Sequence, residues 1–241
     1  VLELGQRGSV DYLGLGLSQT DVIGHRFGPR SREQLDNLIR LYLELGRLLD
    51  TLDQVLGTEG WILALSADHG ILEIPEHLAE QGVNASRLTR DDQTHFREVM
   101  AEATEGDATP ETVKSSIEAL PFVAAAYTFN EVESGTPTDS FATLFANSHS
   151  RTRVTGQQGI HGVYMRRQPN ILSWGGPATT HGSPYYYDRH VPIIFLGSGV
   201  SAGPSSERVA TIDVAPTLAQ ITGIPTPDDL DGRALDVLTP D

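Results

Sequence analysis

Cysteine is absent from the 241-residue chain, which excludes disulfide frameworks, thiolate metal sites and cysteine nucleophiles. Basic residues are scarce: 17 Lys and Arg stand against 32 Asp and Glu, a formal net charge of −15. With no basic surplus to neutralise phosphates, a nucleic-acid duplex is excluded as a partner. No run of about 18 apolar residues occurs, so no segment reads as a membrane span, and no signal-peptide pattern is visible. Met is absent from the first position, where Val1 stands; this is the expectation for a processed, clipped or partial chain. What is present is a hydrophobic fraction of 39% together with 24 glycines, enough for a real core and too much for disorder. The length allows one large domain, or one domain with a sizeable insertion.

Val10–Leu17 is a nearly continuous apolar run ending in the polar Ser18-Gln19-Thr20-Asp21, the pattern of a strand buried on both faces. Ser31-x-x-Gln34 has the spacing of a capping box. After it Leu35, Leu38, Ile39, Tyr42, Leu45, Leu49, Leu52 and Val55 keep the helical period up to the natural stop at Gly57. Trp61–Ser66 reads as a second buried strand, which completes a βαβ unit. Beyond it the sequence predicts helices over 87–105, 110–119 and 140–147, strands over 122–129, 163–174 and 191–196, and a last helix opened by Asp213 and closed by Gly223. Residues 1–74 and 166–241 are therefore expected to form an α/β core, and 75–165 an inserted α+β subdomain beside it.

Polar clusters follow these strands. Asp21 and His25 leave the first, Asp68 and His69 leave the second, and His181 precedes the 191–196 strand. Ligands of open α/β sheets bind outside the carboxyl ends of strands. Imidazole and carboxylate together suit zinc, and five candidate ligands exceed the three usual at one catalytic zinc. Two ions are the natural count, a pair able to clamp both oxygens of a phosphoryl transfer. Each cluster alone also reads as a hydrogen-bonded loop, and spacing does not decide between the two.

Asp21-x-x-x-His25-x-x-Gly28-Pro29, Ser66-Ala67-Asp68-His69-Gly70, Thr180-His181-Gly182-Ser183 and Thr211-x-Asp213-x-Ala215-Pro216-Thr217-Leu218, in this order, resemble the alkaline phosphatase superfamily and its type I phosphodiesterase/nucleotide pyrophosphatase branch. The resemblance implies a three-layer α/β sandwich with a largely parallel sheet, its N-terminal strands missing from this chain. It implies two divalent metal ions, zinc by preference: Asp21, His25 and His181 would hold one, Asp68 and His69 the other. It also implies a Thr or Ser nucleophile on a segment upstream of this chain, a small phosphate-ester or nucleotide substrate, and a periplasmic or secreted location. No catalytic residue is then expected within 1–241, and the fragment alone is expected to be inactive, the missing N-terminal segment being its partner. The competing expectation is a non-catalytic metal-binding or interaction module on the same fold.

The remaining candidates read as structural. Tyr42 belongs to the apolar helix face and is expected in the core. Arg166 and Arg167 precede a strand and read as a solvated pair more readily than as anion ligands. Tyr185, Tyr186 and Tyr187 line a cleft or pack beneath it. His77, His95, His149, His161 and His190 are expected in structural or surface roles.

Overall fold

The structure is a computed structural model that describes residues 3–136, 138–149, 160–173 and 175–238. The chain divides into two compact units. One comprises 1–21, 32–70 and 190–241; the other comprises 22–31 and 71–189. Helix α1 (Gln19–Phe27) contains the first boundary between them. No helix of the described residues is long and apolar enough to cross a membrane.

The first unit is built from α2 (Arg32–Leu56), β1 (Ile62–Ser66), and, later in the chain, β6 (Ile193–Gly197) and α9 (Val214–Thr222) behind a 3-10 turn at Thr211–Asp213. Strands β1 and β6 pair antiparallel, Ile62 opposite Gly197 and Ser66 opposite Ile193. Gly197 sits at φ +118°, where a Cβ would lie 2.4 Å from the Trp61 carbonyl oxygen, so only glycine fits. Trp61 Nε1 donates to Asp53 Oδ1 at 2.9 Å, tying the end of α2 to the start of β1. At the other end of α2, Gln34 Nε2 donates to the Thr20 carbonyl and Asn37 Nδ2 to the Thr20 hydroxyl, both at 3.2 Å. Gln34 is thus turned toward α1, the buried polar residue of α2.

Two expectations fail in this unit. Residues 10–17 form no strand, and Val10, Tyr12, Leu13 and Leu15 are all more than half exposed. A strand needs a neighbour for its backbone groups, and no described segment pairs with this one. Its apolar composition signals burial that the described residues do not supply. Tyr42, expected in the core, is 75% exposed. It shares this with Leu35, Leu38 and Ile39 of the same periodic stripe. The helix and its amphipathic period are present as read; the first half of the stripe, Leu35 to Tyr42, is open, whereas Leu45, Leu49 and Leu52 are partly buried. The unit's buried apolar side chains among the described residues include Leu235 and Pro216.

The second unit holds the main core. Its elements are α3 (Pro75–Glu80), β2 (Ser86–Arg87), α4 (Arg90–Ala103), α5 (Pro110–Glu118), β3 (Val123–Thr128), α6 (Phe129–Glu133), α7 (Ser140–Ser148), β4 (Val163–Arg167), β5 (Ile171–Leu172) and α8 (Tyr186–Arg189). Each longer helix starts where its sequence dictates. Thr89 and Asp92 cap α4 reciprocally, Thr128 and Glu131 do the same for α6, and Asp139 accepts from two N–H groups of α7. Pro110 occupies the first turn of α5, where its missing N–H costs nothing. Val113 and Ile117, one turn apart on α5, are buried in one cluster with Phe122, just ahead of β3, and with Ala126 and Val163 of the β3–β4 ladder. That ladder is antiparallel, with an irregularity between Val123 and Ala125. The short β2 pairs parallel with β5. The sequence run expected as one strand over 163–174 is split in two: β4 ends at Arg167, Asn170 takes φ +60° in the turn, and Trp174 lies outside the described residues.

Candidate functional site

Asp21 and His25 are four residues, one turn, apart on α1, so they rise from the same helical face. The sequence suggested a loop here; the polar stretch after residue 17 instead winds directly into a helix. Gly24, between them, lies against Ile71, whose Cδ1 would be 3.3 Å from a Cβ at that position. Gly28 ends the helix at φ +92° with Ile74 pressed against it.

In the second unit the His25 ring is oriented from both sides. Its Nδ1 lies 2.9 Å from the Thr179 carbonyl oxygen. A carbonyl only accepts, so Nδ1 carries the proton and Nε2 presents a lone pair. That Nε2 lies 3.1 Å from His181 Nε2. The backbone beneath is fixed by Thr179, which is wholly buried. Its N–H donates to the His25 carbonyl, and its hydroxyl donates to the Leu72 carbonyl at 2.6 Å. Leu72 N–H donates in turn to the Thr180 carbonyl. The turn after His181 is held by Asp188, whose Oδ2 accepts from the Ser183 N–H at 2.8 Å and the Ser183 hydroxyl at 2.6 Å. Thr179 and Asp188 were not singled out in the sequence. The Ser183–Asp188 spacing carries no recognised motif, and the partners of Thr179 are 107 and 154 residues away.

The first unit places Asp21, Asp68 and His69 together. His69 Nδ1 faces the Gly70 carbonyl at 2.9 Å, which again leaves Nε2 with its lone pair outward. That Nε2 lies 3.6 Å from Asp68 Oδ2 and 3.8 Å from Asp21 Oδ1. Asp68 is 90% exposed at its side chain, whereas His69 is 24% exposed. Within their units, then, His25 meets His181, and His69 meets both Asp21 and Asp68.

These donors fit a divalent cation. Two imidazole nitrogens bound at about 2.05 Å with a tetrahedral angle stand about 3.3 Å apart, close to the His25–His181 separation of 3.1 Å. In both His25 and His69 the Nδ1–H is committed to a backbone carbonyl, the usual outer partner of a metal-ligating histidine.

Comparison with known proteins gives the family. The profile described as type I phosphodiesterase / nucleotide pyrophosphatase matches residues 2–188. The chain belongs to this family. It is 28% identical over 98% of its length to the protein named alkaline phosphatase PhoK of a Sphingomonas species, of which it covers 48%. It is 30% identical over 90% of its length to a Myroides odoratus protein named calcium-transporting ATPase, of which it covers 44%. The chain thus spans about half the length of these curated relatives. Among solved structures, wild-type alkaline phosphatase PafA matches with a TM-score of 0.78 at 20% identity, over 92% of this chain and 47% of that one. The fold is accordingly the alkaline phosphatase-like α/β fold.

Arg166 and Arg167 are not the solvated pair that the sequence suggested. They end β4 rather than precede a strand, and both are partly buried. Arg166 Nη1 donates to the Tyr185 hydroxyl at 3.0 Å, and its guanidinium lies 4.2 Å over the Phe141 ring. Tyr185 and Tyr187 stack on one another at 5.7 Å. Burial raises the Tyr187 phenol above its usual range. His149 is structural, bonded to the Tyr164 hydroxyl and the Glu133 carboxylate.

Proposed function

We propose that the protein of which these residues are part hydrolyses small phosphate esters at a pair of divalent metal ions. Zinc is the preferred ion. Asp21, His25 and His181 serve as ligands of one ion, and Asp68 and His69 as ligands of the other. The observation that carries this reading is the His25–His181 pair, two Nε2 atoms at 3.1 Å with the His25 proton already committed to Thr179. The naming of relatives as alkaline phosphatases supports the reaction class.

When bound, such ions neutralise the phosphate's charge and lower the pKa of an attacking hydroxyl. The chain's own residues prepare the place. Thr179 and the Leu72 backbone lock the His25 ring, Asp188 holds the turn that carries His181, and the Gly70 carbonyl fixes the tautomer of His69. The carboxylates Asp21 and Asp68 supply negative charge that a divalent ion offsets.

No residue of this chain is assigned as the nucleophile. On this reading a Thr or Ser on an upstream segment attacks phosphorus, and that segment covers the open stripe of α2 and residues 10–17. The exposed Leu35, Leu38, Ile39 and Tyr42 support it. A periplasmic or secreted location belongs to the same proposal, as does the division into a core (1–74 and 166–241) and an inserted subdomain (75–165). Assays with 4-nitrophenyl phosphate and bis(4-nitrophenyl) phosphate test it. Residues 1–241 alone are expected to be inactive with zinc, and the chain extended upstream through the nucleophile is expected to be active. Turnover by 1–241 itself, or an inactive extended protein that binds zinc, would overturn the reading; the latter would favour a non-catalytic metal-binding module.

A further inference from the structure

The second unit contains a cleft of about 90 Å³ lined by the end of β4 and by the segment from Thr180 to Asp188. Arg166, Arg167, His181 and Asp188 are all on its wall. The volume leaves room for one tetrahedral oxyanion.

The two guanidiniums stand out by what they lack. In a chain with 32 acidic residues, neither forms an ion pair with a described carboxylate. Arg166 is held by phenols instead. Its Nε and Nη1 donate to the hydroxyls of Tyr127 and Tyr185, at 3.4 and 3.0 Å. Each phenol has committed its own proton elsewhere, Tyr127 to Asp139 Oδ2 at 2.9 Å and Tyr185 to the Arg167 carbonyl at 2.5 Å. The phenols therefore offer the arginine lone pairs and no charge, and Arg166 Nη2 has no acceptor among the described residues. Arg167 donates from Nη1 to the Ser173 hydroxyl at 3.1 Å, its side-chain hydrogen bond among the described residues. Burial holds its pKa below the usual guanidinium range.

A partly buried cation without a directly bonded counter-charge is costly. Arg166 feels the Asp139 carboxylate only across the Tyr127 hydroxyl, and both guanidiniums are hydrogen-bonded here by neutral groups. The third charged group on the wall is Asp188, 5% exposed, whose Oδ1 has no hydrogen-bond partner. The cleft so offers two sets of unused N–H donors and one unused acceptor, with one net positive charge.

We propose that this cleft is a subsite for a second anionic group, a phosphate or carboxylate, on the organic part of the ester. Arg166 and Arg167 donate to that group, and Asp188 Oδ1 accepts from a hydroxyl on the same molecule. The substrate class is then a hydroxylated ester bearing two anionic groups. The anion site stands on the cleft alone; its service to a phosphate ester rests on the function proposed above.

Binding of inorganic phosphate to the protein in excess EDTA, followed by calorimetry or by NMR shifts, separates the two. The wild type is expected to bind saturably. Loss of one charge-assisted contact in Arg166→Gln or Arg167→Gln weakens binding about tenfold. Arg167→Lys, which keeps the charge, stays within about threefold of wild type. The control His95→Ala, an exposed position on α4 outside the cleft wall, leaves binding unchanged. Circular dichroism establishes that each variant is folded, and Arg166→Gln decides the matter if Arg167→Gln is not. No saturable binding in the wild type, or binding unaltered in the folded Gln variants, overturns the subsite. In the catalytically competent protein, the kcat/KM preference for 3-phosphoglycerate over 4-nitrophenyl phosphate is expected to fall about tenfold in Arg167→Gln. An unchanged preference overturns the assignment to substrate. Absence of all hydrolysis would refute the proposed function and leave the phosphate measurement to judge the anion site.

Discussion

Replacing Thr179 by Val tests whether one buried hydroxyl organises the histidine pair. The substitution keeps volume and β-branching and exchanges only the hydroxyl for a methyl. Thr179 is 0% exposed, and its hydroxyl gives the Leu72 carbonyl a hydrogen bond of 2.6 Å. Leu72 is itself 3% exposed, so water has no ready access to the carbonyl left behind. Leaving a buried acceptor unsatisfied costs about 1–3 kcal/mol. For a chain of this size each kcal/mol lowers Tm by about 2–4 °C, so a fall of roughly 2–12 °C is expected by thermal circular dichroism. Thr179→Ser keeps the hydroxyl and loses one methyl, which costs about 1 kcal/mol. The Ser variant should therefore be the more stable of the two. A Val variant as stable as wild type, or a Ser variant less stable than Val, would refute the reasoning that this hydrogen bond fixes the 179–181 backbone.

Other perturbations probe separate links. Gly197→Ala places a Cβ 2.4 Å from a backbone oxygen at a φ of +118°; a loss of more than about 2 kcal/mol is expected in urea unfolding. Asp213 accepts from the N–H groups of Arg233 and Ala210 at 2.9 and 2.8 Å. The Arg233 bond above all holds its carboxyl below the usual 3.8. A depressed folded pKa contributes stability that is full above the unfolded value and is lost as pH falls through the folded one. The stability gap between wild type and Asp213→Asn should therefore be constant near neutrality and close below about pH 4. A gap that widens on acidification would contradict the assignment. Leu235→Ala removes a buried hydrophobic side chain of the first unit and should cost about 2–4 kcal/mol by chemical denaturation.

The sequence exposed the local elements and the polar clusters more readily than what surrounds them. Helices α4, α5, α7 and α9 were located to within a few residues, α9 by its Gly223 stop, because stops act within one turn; the caps Thr89, Thr109 and Asp139 emerged only from the structure. Asp213 shows the limit of such reading. It stands at the start of α9 as expected, yet its carboxylate makes no cap bond there and instead closes onto Arg233, 20 residues on. Residues 10–17 read as a strand because composition reports that a segment is apolar and says nothing of whether a partner lies beside it. Tyr42 was misplaced for the same reason. The pairings of His25 with His181 and of Thr179 with Leu72 span 156 and 107 residues, and no local pattern encodes them. Asp21, His25, Asp68, His69 and His181 were visible through motif order; the tautomers of His25 and His69 came only from the carbonyls they face. Arg166 and Arg167 read as solvated because a charged dipeptide usually is; the Tyr127 and Tyr185 hydroxyls that hold Arg166 are distant in sequence.

Metal analysis of the purified protein after equilibration with zinc and removal of the excess tests the central claim most directly. The account predicts about two zinc ions per chain, released by EDTA, with about one lost in His25→Ala and in His181→Ala and none lost in the control His95→Ala. Wild-type protein that retains no zinc, or His25 and His181 variants that retain as much as wild type, would contradict it.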